Sequence, residues 1–244
     1  MNWVSNMDYS IDLHIHSALS PCASRDMTPN NIVNMAYIKK LDIISITDHN
    51  TMENIESIMK LGEDKNILVI PGIEVTTKEE VHVLCFFEDV KDGLKFSRRI
   101  YDSLPYIKNK EKFFEEQLIL DVKDEIVGKL DKLLISRCSY TIDEVNKFAS
   151  LNNGVMVPAH VNRMSYSIIS TLGFIPEELQ IATIEISSQG DLRKMQKFID
   201  LSRYKKIVNS DAHDLYNISE AENFIEIDKL TREEVIKYLK EKKR

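Results

Sequence analysis

Six histidines carry the clearest chemical signal in this 244-residue sequence, and each lies in or just beyond a short β-rich segment. They are His14, His16, His49, His82, His160 and His213. All except His82 are expected at the C-terminal end of a predicted strand, where β/α barrels assemble their active sites. A lone histidine is usually structural, but six histidines with none elsewhere indicate a metal-binding or catalytic site.

Two short motifs add geometry to this set. In DLHIH (residues 12–16) polar and apolar residues alternate, and a period of two predicts that Asp12, His14 and His16 share one face of a strand. His14 and His16 can then bind one ion together, while the apolar residues between them pack against outer helices. DAH (residues 211–213) repeats the spacing, and a carboxylate beside an imidazole suits Zn, Mn or Fe.

A glutamate and an aspartate are the remaining candidates. Glu74 follows Pro71-Gly72, interpreted as a tight turn, and a buried glutamate is costly unless it is paired or coordinated. The favoured role is a carboxylate that bridges cations, and the alternative is a salt bridge across the barrel mouth. Because adjacent strand residues point to opposite faces, we assign His49 to a metal and Asp48 to orienting a ligand.

The elements that must position these side chains alternate between strand and helix, which favours parallel strands joined by right-handed crossovers. Predicted strands are Ser10–His16, Asp42–Asp48, Ile67–Val75, Val81–Phe87, Val155–His160, Ala182–Ser187, Lys206–Asp211 and, more weakly, Asn223–Ile227. Predicted helices are Thr28–Leu41, Thr51–Asp64, Met164–Leu172, Asp191–Tyr204 and Arg232–Lys243. Seven or eight such units predict a closed or distorted barrel, with an open sheet as the alternative.

Residues 91–153 interrupt this alternation. The stretch is charged and helix-prone, with no evident strand, so we interpret it as a helical insertion in a single domain of residues 1–244. It is either a cap over the site or an ordinary pair of solvated helices.

Composition narrows the function classes. A net charge of −7 argues against a general affinity for the nucleic-acid backbone, although bound metals can supply positive charge locally. Three cysteines without a CxxC pair favour a reducing compartment. No signal peptide is visible and no apolar stretch is long enough to span a bilayer, so we expect a cytoplasmic protein without membrane contact.

The segments DLHIHSALSPC, ITDHN, GIEV, EVHVL, PAHV and NSDAHD, in this order from Asp12 to His213, resemble the PHP (polymerase and histidinol phosphatase) family of metal-dependent phosphoesterases. The resemblance implies a distorted seven-stranded (β/α)7 TIM-like barrel with two or three divalent ions. It also implies that Glu74 bridges two of them, with the ligand sets His14, His16, Glu74 and Asp211 for the first ion and Glu74, His82 and His160 for the second.

The implied third ion is where this chain departs from the family pattern. His49 and His213 would bind it, and Cys22 stands where many relatives have His or Asp. A thiolate is a competent ligand for Zn or Fe. The alternative is a small buried cysteine beside a half-formed site.

The expected chemistry is attack on phosphorus by a metal-activated water. A further metal or protonated His213 would stabilise the leaving oxygen, and Asp211 is counted with it among the catalytic residues. Arg163 is a candidate phosphate clamp because its planar fork matches phosphate oxygens, with a surface arginine as the alternative. Arg25 and Lys78 are weaker candidates of the same kind.

We favour hydrolysis of a phosphomonoester, a small metabolite or nucleotide, because the chain carries neither an added binding module nor a basic surface. The alternative is a phosphodiesterase or exonuclease, or a nucleotide-bisphosphate phosphatase, with nucleic acid as a less favoured partner. A metallo-amidohydrolase is a third hypothesis. It is weakened because no lysine lies at the end of the central strands to act as the carboxylated bridge.

Overall fold

The apolar segments of the sequence form the strands of one curled sheet and two separate strand pairs in the computed structural model, which describes residues 7–188 and 200–243. The strands are β1 (Met7–Ile15), β2 (Ile43–Ile46), β3 (Leu68–Thr76), β4 (His82–Phe86), β5 (Leu118–Leu120), β6 (Ile126–Lys129), β7 (Val155–Pro158), β8 (Thr183–Ser187), β9 (Lys205–Asn209) and β10 (Phe224–Ile227). The sheet has the strand order β10-β1-β2-β3-β4-β7, and β8 pairs with β9.

Backbone hydrogen bonds close these strands into a ring. Val161 N donates to Glu185 O (3.0 Å), which joins the end of β7 to β8. Ala212 N donates to His14 O (3.2 Å) and His16 N donates to Ala212 O (2.9 Å), which joins the end of β9 to β1. The predicted distorted barrel of seven strands is therefore confirmed, with β10 paired antiparallel to β1 outside the ring.

Helices cover the outside of the barrel. They are α1 (Pro29–Ile38), α2 (Ile55–Asp64), α3 (Val90–Asp102), α4 (Ile142–Leu151), α5 (Ile168–Leu172) and α6 (Arg232–Lys240). A larger apolar core lies between sheet and helices, and a smaller one combines inward-facing strand residues with α6. None of the helices in the described ranges is both long and apolar enough to cross a membrane. The predicted helix Asp191–Tyr204 falls mostly on residues outside those ranges.

The strands are not all parallel as predicted. β4 pairs antiparallel with both β3 and β7. Only a short turn separates β3 from β4. Thr77 N donates to Val81 O (2.9 Å) and closes this hairpin, so the two strands must run in opposite directions. Pro71 and Gly72 lie inside β3 rather than in a turn, so the interpretation of that dipeptide was wrong.

A β-bulge corrects the predicted face of β1. Asp12 pairs with Ile44 but Ile15 pairs with Ile46, so β1 carries one extra residue between these points. Asp12 therefore does not share a face with His14, and its carboxylate accepts from Ser210 N (3.1 Å) and Ser219 N (2.9 Å) instead. Leu13 joins the inner core instead of packing against the outer helices. The period-two rule fails here because it assumes an unbroken ladder.

Two helix starts were predicted from threonines. Thr28 caps α1, with its side chain accepting from Asn31 N, as expected. Thr51 does not open α2, which begins at Ile55. The preceding Asn54 uses its side chain for tertiary hydrogen bonds, donating to Leu118 O (3.1 Å) and accepting from Leu120 N (2.9 Å).

The stretch 91–153 contains strands as well as helices. Between α3 and α4, β5 and β6 form an antiparallel hairpin, so the prediction that no strand lies here was wrong. Strands of three and four residues with charged neighbours are too short to show a clear period. The hairpin docks on the loop after β1, where Leu118 N donates to Ala18 O (3.0 Å) and Glu115 N donates to Pro21 O (2.9 Å). That all 244 residues form one domain stays a prediction.

Gly72 permits a close approach of β2 to β3. A Cβ added at this position would lie 2.2 Å from Ser45 Oγ and 2.9 Å from Thr47 Cγ2, and both neighbours are buried. We expect Gly72→Ala to lower the free energy of unfolding by about 1–3 kcal/mol through overpacking, measured by urea denaturation. Gly128→Ala is the control, because its Cβ would meet the flexible end of Ile119 at 3.2 Å. Equal losses in both variants would contradict this packing argument.

Candidate metal centre

One edge of the barrel collects the polar side chains that the sequence singled out. They come from the ends of β1, β2, β7 and β9, from the interior of β3 and from the start of β4: His14, His16, His49, Glu74, His82, His160, Asp211 and His213. Because β4 is antiparallel, its first residue lies opposite Thr76 near the end of β3. This reversal explains how His82 reaches the same edge as the histidines at strand ends.

Glu74 lies at the centre of this group and is 1% exposed. Its two carboxylate oxygens lie within 3.5 Å of ring nitrogens from five histidines: His82 (2.9 Å), His49 (3.0 Å), His160 (3.2 Å), His14 (3.4 Å) and His16 (3.5 Å). Burial alone would raise the pKa of Glu74, but the imidazoles, that of His82 foremost, hold it well below its ordinary value. The carboxylate is therefore ionised and available to more than one cation.

A first group of ligand atoms has the spacing of a coordination shell. The Nε2 atoms of His14 and His16 lie 3.2 Å apart, and they lie 3.2 Å and 3.3 Å from Asp211 Oδ1. Metal–ligand bonds of about 2.0–2.1 Å in a tetrahedron place ligand atoms about 3.3–3.4 Å apart. The side chains present thus fit one divalent ion without rearrangement.

A second group contains a buried nitrogen without a hydrogen bond, which also suits a bound cation. His49 Nδ1 lies 3.0 Å from Glu74 Oε2 but is not aligned for a hydrogen bond, and it has no other such partner in the described part of the chain. A buried polar atom without a partner costs about 1–3 kcal/mol, and a cation between the nitrogen and the carboxylate would remove that cost. His49, Glu74 and His82 together offer three ligand atoms within 4.8 Å of one another.

A third group lies nearer the surface. His16, His49 and His213 also offer ligand atoms within 4.8 Å of one another. Cys22 is exposed rather than buried, and its thiol interacts with both His49 and His213. Burial of the sulfur atom would raise the thiol pKa, but these imidazoles lower the pKa to about 6.

Hydrogen bonds behind the cluster orient two of the rings. His16 Nδ1 contacts Ser20 Oγ (3.0 Å), and Ser20 Oγ donates to Asp48 Oδ1 (2.6 Å). Asp48 also accepts from Ser17 N (2.7 Å), so it does not point at the other ligand atoms. His14 Nδ1 contacts Glu185 Oε1 (2.8 Å) in the same way. Glu185 was not among the predicted site residues. The sequence feature that could have indicated it is its charge within the otherwise uncharged strand segment ATIEIS.

The candidate phosphate clamps are placed differently. Arg163 lies at the cluster, where its Nη1 donates to Asp211 Oδ2 (2.5 Å) and its side chain is 27% exposed. Arg25 instead pairs with Glu116 of the insertion (3.1 Å). Lys78 is exposed on the turn between β3 and β4. Of the three candidates, Arg163 has the direct contact with a predicted metal ligand.

Comparison with known proteins identifies the family. The model of the PHP domain matches residues 12–159, more than half of the chain. The chain belongs to the PHP domain family. Its members are metal-dependent hydrolases of phosphoesters, and the cluster described above falls mainly within the matched segment.

Three proteins are similar to this PHP chain in sequence or in fold. It is 23% identical over 123 residues to a 5′-3′ exoribonuclease of Haemophilus influenzae, covering 49% of this chain and 40% of that protein. Its fold matches a lesion-specific endonuclease from Pyrococcus furiosus (TM-score 0.64, 18% identity), covering 96% of this chain and 56% of the endonuclease. It also matches a protein of Bifidobacterium adolescentis assigned as a metal-dependent phosphoesterase (TM-score 0.62, 18% identity), covering 92% and 95%. The chain thus spans about half of the two nucleases.

Cysteine reactivity tests the environment of the third group. We expect Cys22 of the metal-free protein to react with iodoacetamide at a rate that rises through pH 6 and levels off above about pH 7, because its thiolate predominates there. An ordinary thiol, with a pKa near 8.5, would keep accelerating to about pH 9. Cys85 and Cys138 are the internal controls, because burial raises the pKa of both thiols and should leave them unreactive. Mass spectrometry of the alkylated peptides measures all three, and an ordinary pH profile at Cys22 would contradict the assignment.

Proposed function

We propose that this PHP chain hydrolyses a phosphomonoester, a small metabolite or nucleotide, with water activated at two or three divalent ions. One observation carries the proposal: the buried Glu74 carboxylate lies within 3.5 Å of five histidine rings. An ionised carboxylate surrounded by imidazole rings is suited to coordinating several cations at once. Hydrogen bonds to protonated histidines alone would bring several positive charges together in a buried site.

The proposed ligand sets are those implied by the family resemblance, and each overlaps one of the three groups of ligand atoms without coinciding with it. They are His14, His16, Glu74 and Asp211 for the first ion, Glu74, His82 and His160 for the second, and His49, His213 and Cys22 for the third. Bound Zn, Mn or Fe would supply positive charge for the phosphoryl oxygens and lower the pKa of a bound water. The thiol at Cys22 favours Zn or Fe at the third position.

The chain's own residues have separate roles in this proposal. Asp48 orients His16 through Ser20. Because the Ser20 hydroxyl donates to Asp48, it can only accept from the His16 ring, as it also does from His49 N (3.2 Å). His213 is the most exposed of the histidines, with 29% of its side chain accessible. With two ions bound and the third position empty, protonated His213 would donate to the leaving oxygen, whereas with three ions bound the third ion would stabilise that oxygen instead. Arg163 binds a phosphoryl oxygen beside Asp211.

Access to the centre favours a terminal phosphate group. His14 and His16 are fully buried, whereas the accessible side chains at this edge include Arg163 (27%) and His213 (29%). A terminal phosphoryl group can approach these two accessible side chains end-on. An internal phosphodiester would have to bring chain on both sides of the phosphorus into the same space.

Phosphodiester cleavage at a chain end is the second candidate. The exoribonuclease relative and the endonuclease of similar fold act on nucleic acids, and the ligand groups would serve either ester. Tyr166 adds a specific observation, because its ring stacks on His82 with centroids 4.7 Å apart and the residue is 51% exposed. An exposed ring at this place can stack on a base, whether of a free nucleotide or of a terminal one.

The amidohydrolase hypothesis has less support. Its usual bridging group is a carboxylated lysine, whereas the central position here is held by Glu74. A cytoplasmic location stays a prediction that rests on the unpaired cysteines.

A phosphoester panel with matched variants tests the proposal. We expect the protein as purified to contain divalent metal and to cleave p-nitrophenyl phosphate faster than bis(p-nitrophenyl) phosphate. Glu74→Gln should lower metal content and reduce turnover by at least about 100-fold, more than loss of an outer partner would. Glu79→Gln is the control, because that carboxylate accepts from Ile142 N away from the cluster. Faster cleavage of the diester would favour the second candidate, and full metal occupancy in Glu74→Gln would contradict the bridging role.

Arg163 has a test of its own. Replacement by methionine removes the guanidinium fork, so we expect KM for a phosphomonoester to rise at least about tenfold. Metal content, measured by elemental analysis, should stay unchanged. Arg25→Met is the matched control, because its partner Glu116 belongs to the insertion. Loss of metal without a rise in KM would make Arg163 a partner of Asp211 and not a substrate clamp.

A further inference from the structure

Glu185 is a buried carboxylate that belongs to none of the three ligand groups. It lies in the middle of β8 and is 1% exposed. Its Oε1 lies 2.8 Å from His14 Nδ1 and accepts from Asn209 Nδ2 (2.8 Å). Its Oε2 accepts from the backbone N of His160 (2.7 Å). One side chain thus contacts a proposed ligand of the first ion and the backbone of a proposed ligand of the second.

We propose that Glu185 is a positioning residue that couples the two ion sites by fixing the ring of His14 and the backbone of His160 at once. The inference rests on the metal centre of the proposed function, because it assigns a role to a residue behind the ligands. It does not depend on which ester is cleaved.

The contact with His14 fixes which ring nitrogen is free. A carboxylate can only accept, so His14 Nδ1 must carry the proton in the contact with Glu185. The lone pair of a neutral ring then lies on Nε2, which faces His16 Nε2 and Asp211 Oδ1. Glu185 thereby holds His14 in the form that can bind a cation.

The contact with His160 stabilises an uncommon backbone conformation. His160 has a φ of +30°, a region that residues with a side chain rarely occupy. Its N–H donates to the Glu185 side chain, and the next residue, Val161, donates to the Glu185 backbone oxygen (3.0 Å). Two hydrogen bonds to one residue therefore fix the turn that directs the His160 Nε2 atom to within 3.2 Å of Glu74.

The third donor ties this arrangement to the barrel. Asn209 donates to Glu185 while its own oxygen accepts from Leu13 N (2.9 Å), at the β-bulge directly before His14. A carboxylate suits a place with three donors, whereas a glutamine would turn its NH2 group toward one of them. If that NH2 faced His14, it would require the ring to accept at Nδ1 and to carry its proton on Nε2. Glutamine therefore has the same shape as Glu185 but replaces one acceptor oxygen by a donor group.

Metal binding by Glu185→Gln tests this role. We expect the folded variant to bind both of the first two ions about 10–100-fold more weakly, measured by competition with a chromophoric chelator. The visible spectrum of the cobalt-loaded variant should also change, because the amide NH2 group would oppose either the His14 ring or the His160 backbone N–H, and each of these positions a ligand. Asp42→Asn is the matched control, because that carboxylate accepts from Ser10 N at the opposite end of β1. Circular dichroism confirms the fold of both variants.

The outcomes separate the two proposals. Wild-type affinity and an unchanged cobalt spectrum in Glu185→Gln would overturn the positioning role, as would an equal loss in Asp42→Asn. If Glu185→Gln fails to fold, Glu185→Asp keeps an acceptor-only group, and its shorter reach should still weaken metal binding. Wild-type protein that binds ions but cleaves no ester in the panel would overturn the proposed function, and the comparison of metal affinities would still decide the role of Glu185.

Discussion

The constraint on which this structure depends is the burial of carboxylates among imidazoles. Removing an ionised carboxylate from water is costly, and the cost is recovered only when opposite charge or several donors surround it. Glu74 has five imidazole rings around it, and Glu185 has three donors. The barrel is arranged so that each carboxylate meets donors from several strands. Its strand ends cannot shift independently without leaving one of these charges uncompensated.

The sequence predicted the membership of the site better than its geometry. Residue types and spacing identified six histidines, Glu74 and Asp211, because charged or imidazole side chains within apolar strands are conspicuous against their neighbours. The same spacing placed Asp12 on the wrong face, since a bulge depends on how β1 pairs with β2 and not on β1 alone. The direction of β4 was missed for the same reason, because a short apolar run carries no sign of orientation.

Glu185 and the β5–β6 hairpin show a second limit. The role of Glu185 depends on a contact between distant parts of the chain, since Glu185 and His14 are 171 residues apart. The hairpin is local, but its strands are too short to show a clear period. Local patterns record which residues alternate or repeat, but they do not record which strand will face another across a barrel. The seven-stranded barrel was predictable because it follows from the number and alternation of elements.

Because β4 runs antiparallel to β3, some contacts of the metal centre join residues close in the chain, and others join residues far apart in it. Glu74 and His82 lie on the two strands of a tight hairpin, two residues apart in register, and a separation of eight residues along the chain brings their side chains together. The contact between His14 and Asp211 forms only when the residues after β9 pair with the end of β1, which lies almost 200 residues earlier in the chain. Loop closure over so long a span comes at a higher entropic cost and late in assembly. The proposed first ion site, which needs Asp211, can therefore form only after β9 has joined β1, whereas the contact between Glu74 and His82 needs only the β3–β4 hairpin.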